Sequence, residues 1–222
     1  MLARASRRAR GRRCAVRRVG WIWDLRLQNL RLILASASPR RRELLRAAGF
    51  DFVVRPSTVA EERHPGESGE EFALRAAREK ALQVAASTPP EGLVLGADTV
   101  VIVQGEVLGK PADPEDAARM LRLLSGVTHR VVTGVCLVRA PDRIEALRPS
   151  ATLVTFRRLD EQEIREYVSS GEPLDKAGAY GIQGLASKFV TRIEGCYFNV
   201  VGLPVALVYE LVREAETKGP VS

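Results

Sequence analysis

The sequence predicts an α/β domain with a central cleft, and three observations carry that prediction. Short apolar runs of buried-strand type, such as Leu32-Ile33-Leu34 and Leu93-Val94-Leu95, alternate with helix-start signals at Ser38-Pro39, Ser68 and Asp113-Pro114. Two longer alternating stretches, at about residues 129–139 and 151–157, suit an antiparallel pair with one packed face. The chain has no internal repeat or linker, and its 222 residues, 45% hydrophobic and 27% charged, are enough to bury a core in one domain or two lobes.

The first strand leads into Ser36-Ala37-Ser38-Pro39-Arg40-Arg41-Arg42, a helix start with Ser38 as N-cap, Pro39 at the first position and Gly49 as the stop. Unpaired N–H groups at a helix N-terminus, two serine hydroxyls and several arginines together make a surround for an anion. The helix dipole adds only about 0.3–1 kcal/mol, so the arginines must supply most of the binding.

Residues 50–54 read as a second strand, followed by an acidic loop from Pro56 to Gly69 that holds Glu61 and Glu62. Ser68 and Glu71 form a capping box that opens a helix running to Ser87, with Lys80 near its middle. Leu93-Val94-Leu95 then leads through Gly96-Ala97 to Asp98, with Val100 to Val103 beyond it and a turn at Gln104-Gly105-Glu106. A carboxylate among apolar strand residues is expensive to bury unless it meets a cation or a proton, which makes Asp98, placed at the end of an apolar strand, the strongest single candidate for chemistry.

Asp113 to Gly126 reads as a structural helix, and the antiparallel pair follows with a polar loop at Pro141-Asp142-Arg143. Asp160 caps a helix that ends by Gly171. The loop from Asp175 to Gly184 carries glycines at 178, 181 and 184, which let backbone approach a ligand closely. Phe189–Ile193 and Tyr197–Val201 read as a hairpin over Glu194-Gly195, and Pro204 to Glu216 as the closing helix.

The net charge of +7 suggests nucleic-acid binding until it is divided along the chain. Residues 1–31 carry ten arginines against Asp24, for +9, and the remainder is −2, so the main domain is not a nucleic-acid binder. The arm at 1–30 reads as an arginine-rich extension ahead of the domain, with a targeting peptide or a nucleic-acid-binding tail as the other readings. Trp21-Ile22-Trp23 is broken at once by Asp24, unlike a secretory core, and no run is long enough to span a membrane. Cys14, Cys136 and Cys196 are scattered and odd in number, which gives no disulfide framework and fits a cytoplasmic location. His64 and His129 read as isolated surface residues.

Four blocks stand in one order: Ser36-Ala37-Ser38-Pro39-Arg40-Arg41, Gly96-Ala97-Asp98-Thr99, Gly109-Lys110-Pro111, and Asp175-Lys176-Ala177-Gly178-Ala179-Tyr180-Gly181-Ile182-Gln183-Gly184. Together they resemble the Maf family of nucleoside triphosphate pyrophosphatases, from about Leu32 to about Leu211. The resemblance implies a mixed twisted sheet flanked by helices, two lobes with a central cleft, similar to inosine triphosphatases, over residues 31–216 with a tail at 217–222. It makes Ser36, Arg40, Arg41, Lys80, Lys110 and Lys176 substrate-binding, Asp98 catalytic, and Glu61 with Asp98 the holders of a divalent metal cation, Mg²⁺ or Mn²⁺. In the subgroup associated with dTTP and UTP, an Arg, a Thr and a Gln fall at Arg40, Thr99 and Gln183. The implied reaction is water attack on the α-phosphorus, giving the monophosphate and pyrophosphate, with modified pyrimidine triphosphates within reach. A 7-methyl-GTP-type pyrophosphatase of the same family and a nucleotide-sensing division regulator without significant turnover are the alternatives. The resemblance also allows a homodimer.

Overall fold

Strands Arg31–Leu34 (β1) and Phe52–Val54 (β2) bracket the helix Pro39–Ala47 (α1), and helix Gly69–Ala85 (α2) follows the acidic loop. Next come Gly92–Val103 (β3), Glu106–Leu108 (β4), Pro114–Leu124 (α3), Thr128–Arg139 (β5), Arg143–Phe156 (β6) and Glu161–Ser169 (α4). After a stretch of short 3₁₀ turns the chain closes with Val190–Glu194 (β7), Tyr197–Val201 (α5) and Val205–Thr217 (α6). This computed structural model describes residues 31–90 and 92–217. The arginine-rich arm and all but the first residue of the expected C-terminal tail lie outside them.

The strands form one mixed sheet in the order β2-β1-β3-β5-β6-β7, with β4 paired to β3. Pairing is parallel on the β2-β1-β3 side and antiparallel beyond it. The expected α/β class with helices on both faces is therefore what the chain adopts. Along β3 the side chains alternate between faces. Leu93, Leu95, Ala97, Val101 and Val103 join a large core with α1, α3, α4 and α6, while Val94 and Val100 pack beneath α2.

Helix α2 is capped as expected: the Ser68 hydroxyl accepts from Glu71 N and the Glu71 carboxylate from Ser68 N. Its buried stripe runs through Phe72, Ala73, Ala76, Ala77, Lys80, Ala81 and Val84, so the lysine sits in the middle of an otherwise apolar face. The face is built from alanines because the helix backbone lies almost on the sheet. A Cβ on Gly96 would meet Ala77 O at 2.1 Å, and one on Gly134 would meet Ala73 O at 2.2 Å. These glycines admit the helix, and Gly134 pairs directly with Asp98 across the β3–β5 ladder. Gly96→Ala is therefore expected to lower stability by about 1–3 kcal/mol, since the clash is with backbone and no rotamer relieves it. Thermal unfolding checks this, and an unchanged midpoint would show that α2 rises off the sheet without loss.

Four expectations are corrected. First, Asp98 lies in the interior of a continuous twelve-residue strand, not at a strand end, because the Gly96-Ala97 pair keeps extended pairing with β5. Second, β6 starts at Arg143, so residues 143–150 are strand and the loop before them is tight. Third, Tyr197–Val201 is helix, and β7 pairs with β6 instead. A short apolar run does not by itself separate strand from helix. Here the buried Asn199 decides, its amide donating to Val131 O at 3.1 Å and Thr152 Oγ1 at 3.0 Å. Fourth, His129 is buried, 2% exposed, with Nε2 2.8 Å from the Tyr180 hydroxyl and its ring edge-on to Phe156. Burial pushes its pKa down to about 4, so the ring is neutral at pH 7.

Candidate active site

The C-terminal end of β1, the N-terminus of α1, the middle of β3 and the loop after α4 enclose a cleft of about 1030 Å³. All of Ser36, Arg40, Arg41, Glu61, Lys80, Asp98, Thr99, Lys110, Lys176 and Gln183 line it. Residues as far as 147 positions apart in sequence thus meet in one concavity.

Its floor is a carboxylate–ammonium–carboxylate array. Lys80 Nζ stands 2.6 Å from Asp98 Oδ1 and 2.6 Å from Glu61 Oε1, with both the lysine and Asp98 side chains 7% exposed. The pair forms because Asp98 points to the same sheet face as Val94, Gly96 and Val100, the face that the α2 stripe covers. Burial raises the Asp98 carboxyl above the ordinary aspartate value, with Lys80 and Arg41 pulling against it. For Glu61, partial burial pushes upward, but the hydrogen bond and charge of Lys80, with Lys110 and Arg41, outweigh it and hold the carboxyl low. No described residue donates a hydrogen bond to Asp98 Oδ2.

The opposite sheet face carries the brace. The Arg41 guanidinium donates from Nε to Gly202 O at 2.9 Å, from Nη1 to Ala97 O at 2.8 Å and Ser36 Oγ at 3.2 Å, and from Nη2 to Thr99 Oγ1 at 3.1 Å. An arginine has five N–H groups, so most of those of Arg41 are committed within the protein. Burial lowers its pKa, against the field of Asp98 and Glu61. Thr99 is fixed further by Thr133 Oγ1 at 2.9 Å. Arg41, expected to clasp an anion directly, thus first ties α1 to β3 and to the turn after α5.

At the lip, Arg40 Nη1 lies 3.1 Å from Asp175 Oδ2 and Lys176 Nζ 2.6 Å from Asp175 Oδ1, so one carboxylate gathers two cations. Lys110 is 60% exposed with Nζ 3.7 Å from Glu61 Oε2. Gln183 is exposed, and its amide has no hydrogen bond to the described residues.

A sequence pattern described as Maf-like protein matches residues 31–215. The chain belongs to the Maf family. A dTTP/UTP pyrophosphatase of Koribacter versatilis (strain Ellin345) is 54% identical over 184 residues, 83% of this Maf chain and 94% of the relative. A protein of the same description from Anaeromyxobacter sp. (strain Fw109-5) is 54% identical over 189 residues, 83% of this chain and 89% of its own. Among solved structures, a HAM1 protein from Coxiella burnetii has a TM-score of 0.47 and 15% identity, over 83% of this chain and 99% of that one.

Sequence reasoning missed several parts of the Maf cleft. Glu172 was not singled out, although its carboxylate lies under the 176–185 loop. Thr133 and the Gly202 carbonyl, which complete the Arg41 brace, carry no recognisable motif. Gly134 did carry a signal: a glycine inside a β-branched strand marks a close backbone approach. No helix among the described residues is long and apolar enough to cross a membrane.

Proposed function

We propose that this Maf protein hydrolyses dTTP and UTP to the monophosphate and pyrophosphate, with water attacking the α-phosphorus. The observation that carries the reading is the Glu61–Lys80–Asp98 array, its lysine and aspartate buried, on the floor of a cleft whose rim holds further cations and a glutamine amide with no hydrogen bond to the described residues. The names of its relatives support the same substrates.

A triphosphate brings about four negative charges, which Lys80, Lys110, Lys176, Arg40 and the Ser36 hydroxyl are placed to receive. Asp98 is the proton acceptor in this reading: its Oδ2 has no donor among the described residues, and its raised pKa makes it a better base than an exposed aspartate. Lys80 holds that carboxylate in one orientation. Among the described residues no three His, Cys, Asp or Glu side chains form a metal cage. A hydrated Mg²⁺ or Mn²⁺ takes only one or two carboxylates and fills its remaining positions with water and phosphate oxygens, so Asp98 and Glu61 fit as its holders. When bound, the metal neutralises phosphate charge and lowers the pKa of water.

Gln183 reads the base. Its amide offers one donor and one acceptor, matching a carbonyl and the N3–H on the edge shared by uracil and thymine. Cytosine presents an acceptor at N3 and an amino group at C4, so the amide would have to rotate, and guanine needs more room. The thymine methyl adds only about 1–3 kcal/mol of apolar contact, so dTTP and UTP should differ less from each other than either does from GTP. Pyrophosphate release measured across dTTP, UTP, CTP, ATP, GTP and 7-methyl-GTP tests the reading. Gln183→Leu should lower kcat/KM for dTTP and UTP about tenfold or more while the metal requirement stays. GTP or 7-methyl-GTP as the best substrate of the unmodified protein would overturn the base assignment and leave the pyrophosphatase chemistry standing.

A further inference from the structure

The turn that presents Gln183 is held from both flanks by one carboxylate. Glu172 Oε2 accepts from Leu185 N at 2.9 Å, two residues after the glutamine. Glu172 Oε1 accepts from the Tyr167 hydroxyl at 3.0 Å, and the hydroxyl oxygen in turn accepts from Gly181 N at 3.3 Å, two residues before it. Gly184 N closes the turn on Gly181 O at 3.0 Å. The carboxylate sits so close beneath that a Cβ on Gly184 would be 2.1 Å from Glu172 Oε1. Glu172 forms no ion pair with a described cation through its carboxylate, so one oxygen serves the loop N–H of Leu185 and the other the Tyr167 hydroxyl of α4. Tyr167 is 2% exposed and stacks edge-on to Phe189, which fixes its hydroxyl from the core side.

Discrimination by hydrogen bonds requires that the discriminating side chain start from a fixed backbone, since these bonds weaken steeply with distance and angle. The Gln183 side chain has no hydrogen bond to a described residue, so its placement falls to the turn. We propose that Glu172 and Tyr167 are positioning residues that fix the Gly181–Gly184 turn and thereby set the base selectivity of Gln183. The proposal rests on the reading of Gln183 as the base-contacting side chain.

The test is the ratio of kcat/KM for dTTP to that for GTP in Tyr167→Phe, Glu172→Gln, Gln183→Leu and the double variants of each of the first two with Gln183→Leu. Thermal melts establish folding, and the isosteric Tyr167→Phe carries the test if Glu172→Gln does not fold. Each positioning variant should lower the ratio about tenfold, the size of one lost hydrogen bond left unpaired. In the Gln183→Leu background neither should lower it further, because the turn then has nothing to position. An unchanged ratio in folded Tyr167→Phe, or losses that add in the double variants, would overturn the clamp while a lowered ratio in Gln183→Leu alone keeps the base reading. No effect of Gln183→Leu would overturn that reading and the clamp with it.

Discussion

Asp98→Asn is expected to keep the fold and lower turnover by about 10²–10⁴, the usual contribution of a general base. The amide has nearly the shape of the carboxylate, and its oxygen still accepts from Lys80 Nζ, so the array stays assembled. What disappears is the anionic Oδ2, the one oxygen of that carboxylate to which no described residue donates, and with it the group proposed to accept the proton or hold the metal. The rim cations proposed to bind the nucleotide are untouched, so its affinity should change far less. Single-turnover pyrophosphate release beside a binding titration separates the two. Near-normal turnover in the folded variant would remove Asp98 from the mechanism.

Lys80→Met should destabilise the protein by about 3–5 kcal/mol at neutral pH, the range for a buried charge stripped of its partner. Methionine fills the stem volume but leaves Asp98 facing Glu61 with no cation between them. The loss depends on pH, and its sign follows from the carboxyl. Burial already holds the Asp98 pKa above the unfolded value, and a raised carboxyl contributes stability that is full below its unfolded pKa and is lost as pH rises through the folded one. Removing Lys80 takes away a lowering influence, so the folded pKa climbs and more stability is lost on ionisation. The deficit against the parent chain should therefore grow between about pH 4 and pH 8, and Asp98→Asn in the same chain should recover most of it. Equal destabilisation in urea melts at both ends of that range would refute the argument.

What the sequence makes legible here depends on how local the signal is. The capped starts of α1, α2, α3 and α4 are legible because Ser38, Ser68, Asp113 and Asp160 each act within a few residues, and all four side chains accept as caps. Asp98 is legible as a misfit, a carboxylate inside an apolar pattern, whereas Lys80, directly after Arg78 and Glu79, stands out only through the family resemblance. Tyr197–Val201 is not legible, because its helix is set by Asn199 reaching strands 47 and 68 positions away. His129 fails for the same reason: nothing adjacent to it announces Tyr180, 51 residues on. Glu172 sits in a polar loop where acidic residues are ordinary, and only the Gly184 approach gives it meaning.

Asp175 at the lip of the cleft stands between Arg40 and Lys176 and occupies both cations. With Glu61, Asp98 and Glu172 it sets four carboxylates against the five cations of the cleft wall, although basic residues crowd it. On the proposed reading, entry of a triphosphate would be an exchange of anions, with protein carboxylates giving up cations that phosphate oxygens take over. Capture would then rest on competition more than on bare attraction, and a triphosphate is expected to win cations from tethered carboxylates more readily than inorganic phosphate, which carries fewer charges.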